Sequence, residues 1–198
     1  MAIKENQRVI IVFGMARAGT TIFTHVLSQH RKIKLFHNVY NYENDLIFAQ
    51  KHRAMERIVL ENPRHMVLFK RPWSEKLVGF WKENFPNAYY IALLKPFDSI
   101  NQSWQKSKWT RALHNGDDKR RRRKYDRHRE LLDEYTDMKL KIVDYNYFVS
   151  DPDKTMKDIS SFLDLKYTRR CGQARCPQFD TSVVKEGGDW RKFRDGFK

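Results

Sequence analysis

Short apolar segments alternate with segments of helical periodicity along most of the chain. The runs at 9–13, 66–69 and 89–94 are almost entirely apolar, which is typical of strands buried on both faces of a sheet. Shorter runs predict further strands at 33–36 and 141–145. Strands of this kind that alternate with helices predict a central parallel sheet with helices on both faces. The expected fold is a three-layer α/β/α fold, P-loop NTPase-like in type.

The spacing of apolar residues and the end signals predict the helices between these strands. Asp98 is a suitable N-cap for the helix that begins there. The proline at position 63 ends the predicted helix 43–60. The predicted helices cover about 20–30, 43–60, 75–84, 98–113, 118–135 and 152–163, with irregular chain after Lys166. Neither a repeat nor a low-complexity linker interrupts this pattern, so residues 1–198 are predicted to form a single domain.

The first predicted strand runs into a short loop bounded by two glycines. Four residues separate Gly14 from Gly19, and two threonines and a helical pattern follow at once. The N–H groups of such a loop and the dipole of the next helix bind an anion. A P-loop NTPase has Lys directly after the second glycine, whereas this chain has Thr20 there and carries its cation inside the loop as Arg17. This pattern favours sulfuryl transfer without a metal over transfer of a magnesium-bound phosphoryl group.

These residues resemble the 5′-phosphosulfate loop of sulfotransferases that use 3′-phosphoadenosine 5′-phosphosulfate (PAPS). That loop usually reads P-[KR]-[SG]-G-T-T, and residues 16–21 of this chain read ARAGTT. The resemblance implies PAPS as cofactor, 3′-phosphoadenosine 5′-phosphate as product and no metal. It also implies that one continuous segment binds the cofactor: Ala16, Arg17, Ala18, Gly19, Thr20 and Thr21.

Three further segments resemble the family in the order that the family shows. Lys95 ends a predicted strand and Ser103 lies eight residues later, where the family's 3′-phosphate element has Arg and Ser. A segment reading VDYNYFVSDP is similar to V-x-Y-E-D-L-x-x-D-P and implies that Tyr145 lines the cofactor pocket. Near the C-terminus, GDWR is similar to the family's G-D-W-[KR]. Upstream of it the family often has an Arg-Lys-Gly clamp that closes over the 3′-phosphate, and Lys185 is the one cation of this chain in that register. The resemblance therefore implies cofactor binding by Lys95, Ser103, Tyr145 and Lys185.

Sulfuryl transfer also requires a group that takes the proton of the acceptor hydroxyl. In the family this base follows the second strand, and the same register here gives His37, with Glu43 as the alternative. Lys70 and Pro72 resemble the family's [EN]-K-x-P, which implies a lysine that stabilises charge on the sulfuryl oxygens. The predicted catalytic residues are therefore Arg17, His37 and Lys70.

Composition adds information on partners and location. The net charge of +15 indicates anionic partners, and the densest run of cations, at 119–124, indicates an acidic saccharide or peripheral contact with an anionic surface. No specific nucleic-acid module is recognisable. Neither a signal peptide nor an apolar run of membrane-spanning length is present, which favours the cytoplasm. Cys171 and Cys176 lack the neighbours of a zinc site and are expected to be reduced thiols in a tail loop, with a local disulfide as the alternative in an oxidising compartment.

The hypothesis is a cytoplasmic sulfotransferase that moves a sulfuryl group from PAPS to a hydroxyl of an acceptor, with an acidic carbohydrate favoured. Two alternatives remain open on the sequence. A P-loop kinase for a small metabolite would bind ATP and magnesium. A non-catalytic adaptor would bind polyanions through the basic helix at 119–129 and would have no affinity for PAPS.

Overall fold

A computed structural model of the protein describes residues 8–36, 55–72, 81–106 and 118–172, with the backbone alone for residues 71 and 72. Five strands form one sheet in the order β2-β3-β1-β4-β5, and every neighbouring pair is parallel. The predicted α/β fold with a central parallel sheet is confirmed. The strands are β1 (Val9–Gly14), β2 (Ile33–Phe36), β3 (Met66–Pro72), β4 (Tyr89–Leu94) and β5 (Leu140–Asp144).

Helices cover both faces of the sheet. They are α1 (Thr20–Leu27), α2 (Phe97–Lys106), α3 (Asp118–Glu134), α4 (Tyr145–Ser150), α5 (Pro152–Phe162) and α6 (Arg169–Gly172). Residues 55–61 and 81–84 are also helical. Within the described ranges, we find no helix that is both long enough and apolar enough to cross a bilayer.

The central strand β1 separates two apolar cores, because successive side chains of a strand point to opposite faces. Ile10 and Val12 pack in one core with side chains of α1, α2, α4 and α5. Val9, Ile11 and Phe13 pack in the other with helical residues 55–59 and 81 and with α3. All five β1 side chains are buried, which explains why this segment of the sequence has no polar position.

The chain after β5 differs from the sequence prediction in two places. A strand end and loop were expected from Tyr145 onward, but α4 begins at that residue, because the Asp144 side chain accepts a hydrogen bond from the Tyr147 amide at 2.9 Å and caps the helix. Residues after Lys166 were expected to be irregular, but 169–172 form α6. Cys171 is a buried free thiol within α6 and not a residue of a tail loop, because its side chain joins the core that contains α1 and α5.

The parallel sheet brings the predicted site residues to one edge. Gly14 lies beside Leu93 of β4 and Pro72 of β3 in the sheet register, so the loop after β1 starts where both neighbouring strands end. Ligands of parallel α/β sheets bind beyond the carboxyl ends of the strands. The strand order thus places the loop between the residues that follow β3 and β4.

Candidate active site

The loop between β1 and α1 holds two residues in the left-handed backbone region. Arg17 has a φ of 76° and Gly19 a φ of 91°. The amide of Ala18 donates to the carbonyl oxygen of Met15 at 2.9 Å and closes a tight turn. Gly19 is the N-cap of α1 and provides no side-chain hydrogen bond to the helix. The N–H groups of the first helical turn have no intrahelical acceptor, so they are left for a ligand, and an anion suits them.

Both glycines of the loop have close neighbours. A Cβ atom at Gly14 would lie 2.7 Å from the carbonyl oxygen of Leu93 on β4. A Cβ atom at Gly19 would overlap the ring of Tyr145, the first residue of α4. The loop backbone therefore packs directly against β4 and against the tyrosine ring, and no larger residue fits at either position.

Helix α2 contacts the loop through two consecutive side chains. Nε of Arg17 donates to Oγ of Ser103 at 3.0 Å. Nε1 of Trp104 donates to the carbonyl oxygen of Ala16 at 2.9 Å. The serine predicted to bind the 3′-phosphate thus touches the cation predicted to bind the 5′ end, and one turn of α2 connects the two parts of the predicted cofactor site.

Strand β3 places Lys70 beside the first turn of α1. Its Nζ donates to Oγ1 of Thr21 at 2.8 Å. Burial lowers the pKa of Lys70 below the ordinary lysine value of 10.5. A partly desolvated ammonium group next to the loop can stabilise negative charge on a group that the loop holds.

Lys95 directly follows β4 and lies over the ring of Tyr145. The distance from its Nζ to the ring centroid is 4.7 Å, which is within the range of a cation–π contact. Burial, and secondly the charge of Arg17, lower the pKa of Lys95. Lys95 is therefore close enough to Arg17 for the two charges to interact.

Arg17, Lys70 and Lys95 form a cluster of cations, which we call the loop cluster. Burial lowers the pKa of Arg17 as well. In the part of the chain that the structure describes, no carboxylate forms an ion pair with any of the three. Partly buried charges without a counter-ion are costly, so the loop cluster suits a ligand with more than one negative charge.

Sequence reasoning missed two residues of this site. His25 lies one helical turn after Thr21, and its pKa is lowered first by burial and then by the charge of Lys70. Both effects favour the neutral form of its imidazole. The spacing of four residues, which places two side chains on one helix face, is the signal that could have found it. Trp104 was missed as well, and its only signal is its position next to Ser103.

The structure brings together most of the predicted site residues. The loop residues 16–19 and Thr21 take part in the contacts described above, as do Lys70, Lys95, Ser103 and Tyr145. Thr20 is the buried first residue of α1. The predicted base His37, the alternative base Glu43 and the predicted clamp residue Lys185 lie outside the described residues. The roles of these three residues stay predictions.

A parallel α/β/α sheet with an anion-binding loop after its central strand defines a protein of the P-loop type. The profile of the Sulfotransferase family matches residues 39–169, which is more than half of the chain. The chain therefore belongs to the sulfotransferase family, and the family and enzyme class predicted from its motifs are confirmed. Because the matched residues begin after the loop, the match and the loop motif are independent observations.

Solved structures share the fold of this chain. The sulfotransferase domain of the olefin synthase of Synechococcus PCC 7002 has a TM-score of 0.64 at 15% identity, covering 85% of this chain and 77% of that one. Mouse sulfotransferase SULT7A1, complexed with PAP, has a TM-score of 0.64 at 14% identity, with 96% and 70% covered. An unliganded sugar kinase from Janibacter sp. HTCC2649 has a TM-score of 0.50 at 12% identity, with 80% and 95% covered. No curated protein matches the sequence.

Proposed function

We propose that this protein transfers a sulfuryl group from PAPS to a hydroxyl of an acceptor. The loop cluster is the observation that carries the proposal, because three cations without a described carboxylate partner surround the glycine-bounded loop. The residues fit the cofactor in charge, since PAPS carries phosphate groups at both ends of its ribose. They also fit in shape, because the loop has no side chain at Gly19 and leaves the N–H groups of α1 for an anion.

The described residues divide the proposed reaction between them. When bound, PAPS supplies the sulfuryl group, whose sulfur forms a bond to the acceptor oxygen while its bond to the 5′-phosphate oxygen breaks. Arg17 and the loop amides neutralise the charge that remains on that phosphate oxygen. Lys70 stabilises the sulfuryl oxygens. Lys95, Ser103 and Tyr145 hold the 3′-phosphate end, so that binding far from the reacting atoms fixes the geometry.

The proton of the acceptor hydroxyl requires a base. His37 is the proposed base, and Glu43 is the alternative. Lys185 is proposed to close over the 3′-phosphate. The proposals for His37 and Lys185 rest on the register of the family motifs. Replacing the base by Ala should lower the transfer rate, and Lys185→Ala should weaken binding of the product.

A binding experiment separates the proposed function from the two alternatives. We expect adenosine 3′,5′-bisphosphate, the product, to raise the melting temperature without a metal, and ATP with magnesium to leave it unchanged. A kinase, the class of one solved structure with a similar fold, would be stabilised by ATP with magnesium and not by the bisphosphate. A polyanion adaptor would respond to heparin and to neither nucleotide. Transfer of a labelled sulfuryl group to saccharides, lipids, phenols and peptides would then identify the acceptor class.

An acidic saccharide is the acceptor that the surface of α3 favours. Arg120 and Arg123 are exposed and form no ion pair with a described residue, and their spacing of three places them on one face. Tyr125 is buried, so α3 offers no exposed aromatic ring on which a nucleic-acid base could stack. An acidic saccharide supplies both the hydroxyl that the reaction needs and the negative charge that this face attracts.

The remaining proposals concern the chain as a whole. We propose that it forms a single domain over 1–198 and acts in the cytoplasm. Fractionation of cells that produce the protein, followed by detection in the cytosolic fraction, tests the location. A single cooperative unfolding transition tests the domain organisation.

A further inference from the structure

Trp104 connects α2 and α3 to the loop. Its indole N–H donates to the carbonyl oxygen of Ala16 at 2.9 Å, and the side chain is largely buried. The Arg121 guanidinium lies 5.7 Å from its ring, and Nε of Arg121 donates to Oδ1 of Asn101 at 3.0 Å. Arg121 also forms an ion pair with Asp118. Arg121 therefore holds the indole in place, and Asn101 and Asp118 hold Arg121.

The hydrogen bond from Trp104 sets the orientation of one peptide group in the loop. The described residues contain no cis peptide, and in a planar trans peptide the C=O and N–H groups point in opposite directions. Since the carbonyl of Ala16 points to Trp104, the N–H of Arg17 points away from it. That N–H group is available to a ligand only while the peptide keeps this orientation.

The φ angle of Arg17 shows that this orientation needs support. At 76°, Arg17 lies in the left-handed region, which is unfavourable for any residue with a Cβ atom. Rotating the peptide between Ala16 and Arg17 by half a turn would bring φ of Arg17 to about −100°, which is in the broadly allowed region. The free loop thus has a lower-strain alternative in which the N–H and C=O groups have exchanged directions.

We propose that Trp104 is a positioning residue that prevents this peptide flip and keeps the Arg17 N–H directed at the 5′-phosphate. The proposal rests on the proposed function, because it assigns the anion in the loop to the 5′ end of the nucleotide. Trp104 acts through the backbone of the loop and not through contact with the ligand. Its loss would weaken the grip on the 5′-phosphate and leave the 3′-phosphate end unchanged.

Two nucleotides that differ by the 5′-phosphate test this role. Trp104→Phe keeps an aromatic ring and removes the N–H donor. We expect calorimetry to show about a tenfold loss of affinity for adenosine 3′,5′-bisphosphate, the usual scale of one hydrogen bond. Adenosine 3′-monophosphate, which lacks the 5′-phosphate, should bind within about twofold of the unsubstituted protein.

A second tryptophan provides a matched control. Trp81 is buried in the other core, and its indole N–H has no hydrogen-bond partner among the described residues. Trp81→Phe therefore removes the same atoms from a packed core without releasing the loop, and both nucleotides should bind as they do to the unsubstituted protein.

Three results would contradict the proposal in different ways. Equal losses for both nucleotides in Trp104→Phe would mean that the replacement displaces α2 with Ser103, and no loss for either would mean that the peptide needs no support. An unsubstituted protein that binds both nucleotides equally would refute the proposed function, and the positioning role with it.

If Trp104→Phe does not fold, the unsubstituted protein gives the answer. The Trp104 indole N–H should exchange with solvent more slowly when the bisphosphate is bound and at the same rate with the monophosphate. The signal can be assigned by replacing the other tryptophans one at a time. An exchange rate that does not change with the bisphosphate would overturn the proposal.

Discussion

The protein carries two dense groups of cations, and they differ in what surrounds them. In the loop cluster, three cations from three different parts of the chain converge on a glycine-bounded backbone without a described carboxylate partner. On α3, the cations are neighbours in sequence, and several of them pair with carboxylates of their own helix, as Arg122 does with Asp126 and Arg127 with Glu130. The same residue types are thus assembled by the fold in one place and by the local sequence in the other.

This difference decides how each group is interpreted. The net charge of +15 does not distinguish them, although the cations of α3 form the densest run in the sequence. Pairing within α3 and exposure to solvent reduce the cost of its charges, whereas burial and mutual repulsion raise the cost in the loop cluster. The site with fewer cations therefore has the stronger need for an anion, and replacements in the two regions should have effects of very different size.

Replacing the loop cation should give the largest effect. Arg17→Ala removes the group that is proposed to neutralise the departing phosphate oxygen, and we expect the rate of sulfuryl transfer to fall by about 100- to 1,000-fold. A labelled-donor assay measures the rate. Arg31→Ala is the control, because Arg31 is exposed and precedes β2 at the opposite edge of the sheet. A near-normal transfer rate in Arg17→Ala would contradict the proposed role of the loop cluster in the reaction.

The inner face of α3 provides the next largest effect, on stability. Burial lowers the pKa of His128 from 6.5 to about 4. Below pH 6.5 the unfolded chain therefore binds a proton that the folded chain resists, and stability falls as the pH drops from 6.5 towards 4. The loss attributable to this residue approaches about 3 kcal/mol.

Denaturant unfolding at several pH values measures this loss. His128→Leu should remove most of the pH dependence of the free energy of unfolding between pH 6.5 and 4. The part of this dependence that comes from carboxylates should remain. An unchanged slope in the variant would show that the buried imidazole does not control acid stability.

Lys95 should have an intermediate effect that is confined to nucleotide binding. Lys95→Met keeps the apolar stem and removes the charge, and we expect the affinity for adenosine 3′,5′-bisphosphate to fall by about tenfold. Because the pKa of Lys95 is lowered, affinity in the unsubstituted protein should fall as the pH rises, already below the ordinary lysine value of 10.5. Calorimetry across alkaline pH measures both effects, and a Lys95→Met variant with the same pH profile as the unsubstituted protein would contradict the assignment.

The exposed face of α3 should give the smallest effect. Replacing Arg120 and Arg123 together by Gln is expected to change the free energy of unfolding by less than about 0.5 kcal/mol. The KM for an acidic saccharide should rise by about threefold at low salt, with a weaker dependence on salt. A loss of transfer as large as that of Arg17→Ala would mean that the two regions do not differ in the way described above.

The sequence was sufficient where one segment carries the whole signal. The apolar run of β1, the two glycines and the start of α1 are adjacent in the chain, and their pattern predicted strand, loop and helix together. The sequence was not sufficient where a contact joins distant segments. The hydrogen bond from Trp104 to Ala16 and the packing of Tyr145 on Gly19 depend on β1 lying between β3 and β4, and the order of strands in a sheet is not encoded in any single segment.

Helix α4 was missed for a different reason. The apolar run at 141–145 predicts a strand that includes Tyr145, whereas the local signal for a helix is Asp144, an N-cap residue that accepts a hydrogen bond from the Tyr147 amide. The predicted start of the next helix at 152 is correct, and Asp151 caps that helix in the same way, by accepting a hydrogen bond from the Lys154 amide. Capping residues inside a recognised motif therefore carry structural information that the motif itself does not give.

The ring of Tyr145 contacts residues from both halves of the proposed cofactor site. One part of it touches Gly19, at the phosphosulfate end, and Lys95 lies over the same ring. A methyl group at position 19 would overlap the Tyr145 ring. The ring would have to move, and Lys95, which lies over it, would have to move as well. Donor chemistry at one end of the nucleotide and anchoring at the other are therefore mechanically linked, and neither end could be redesigned without adjusting its counterpart.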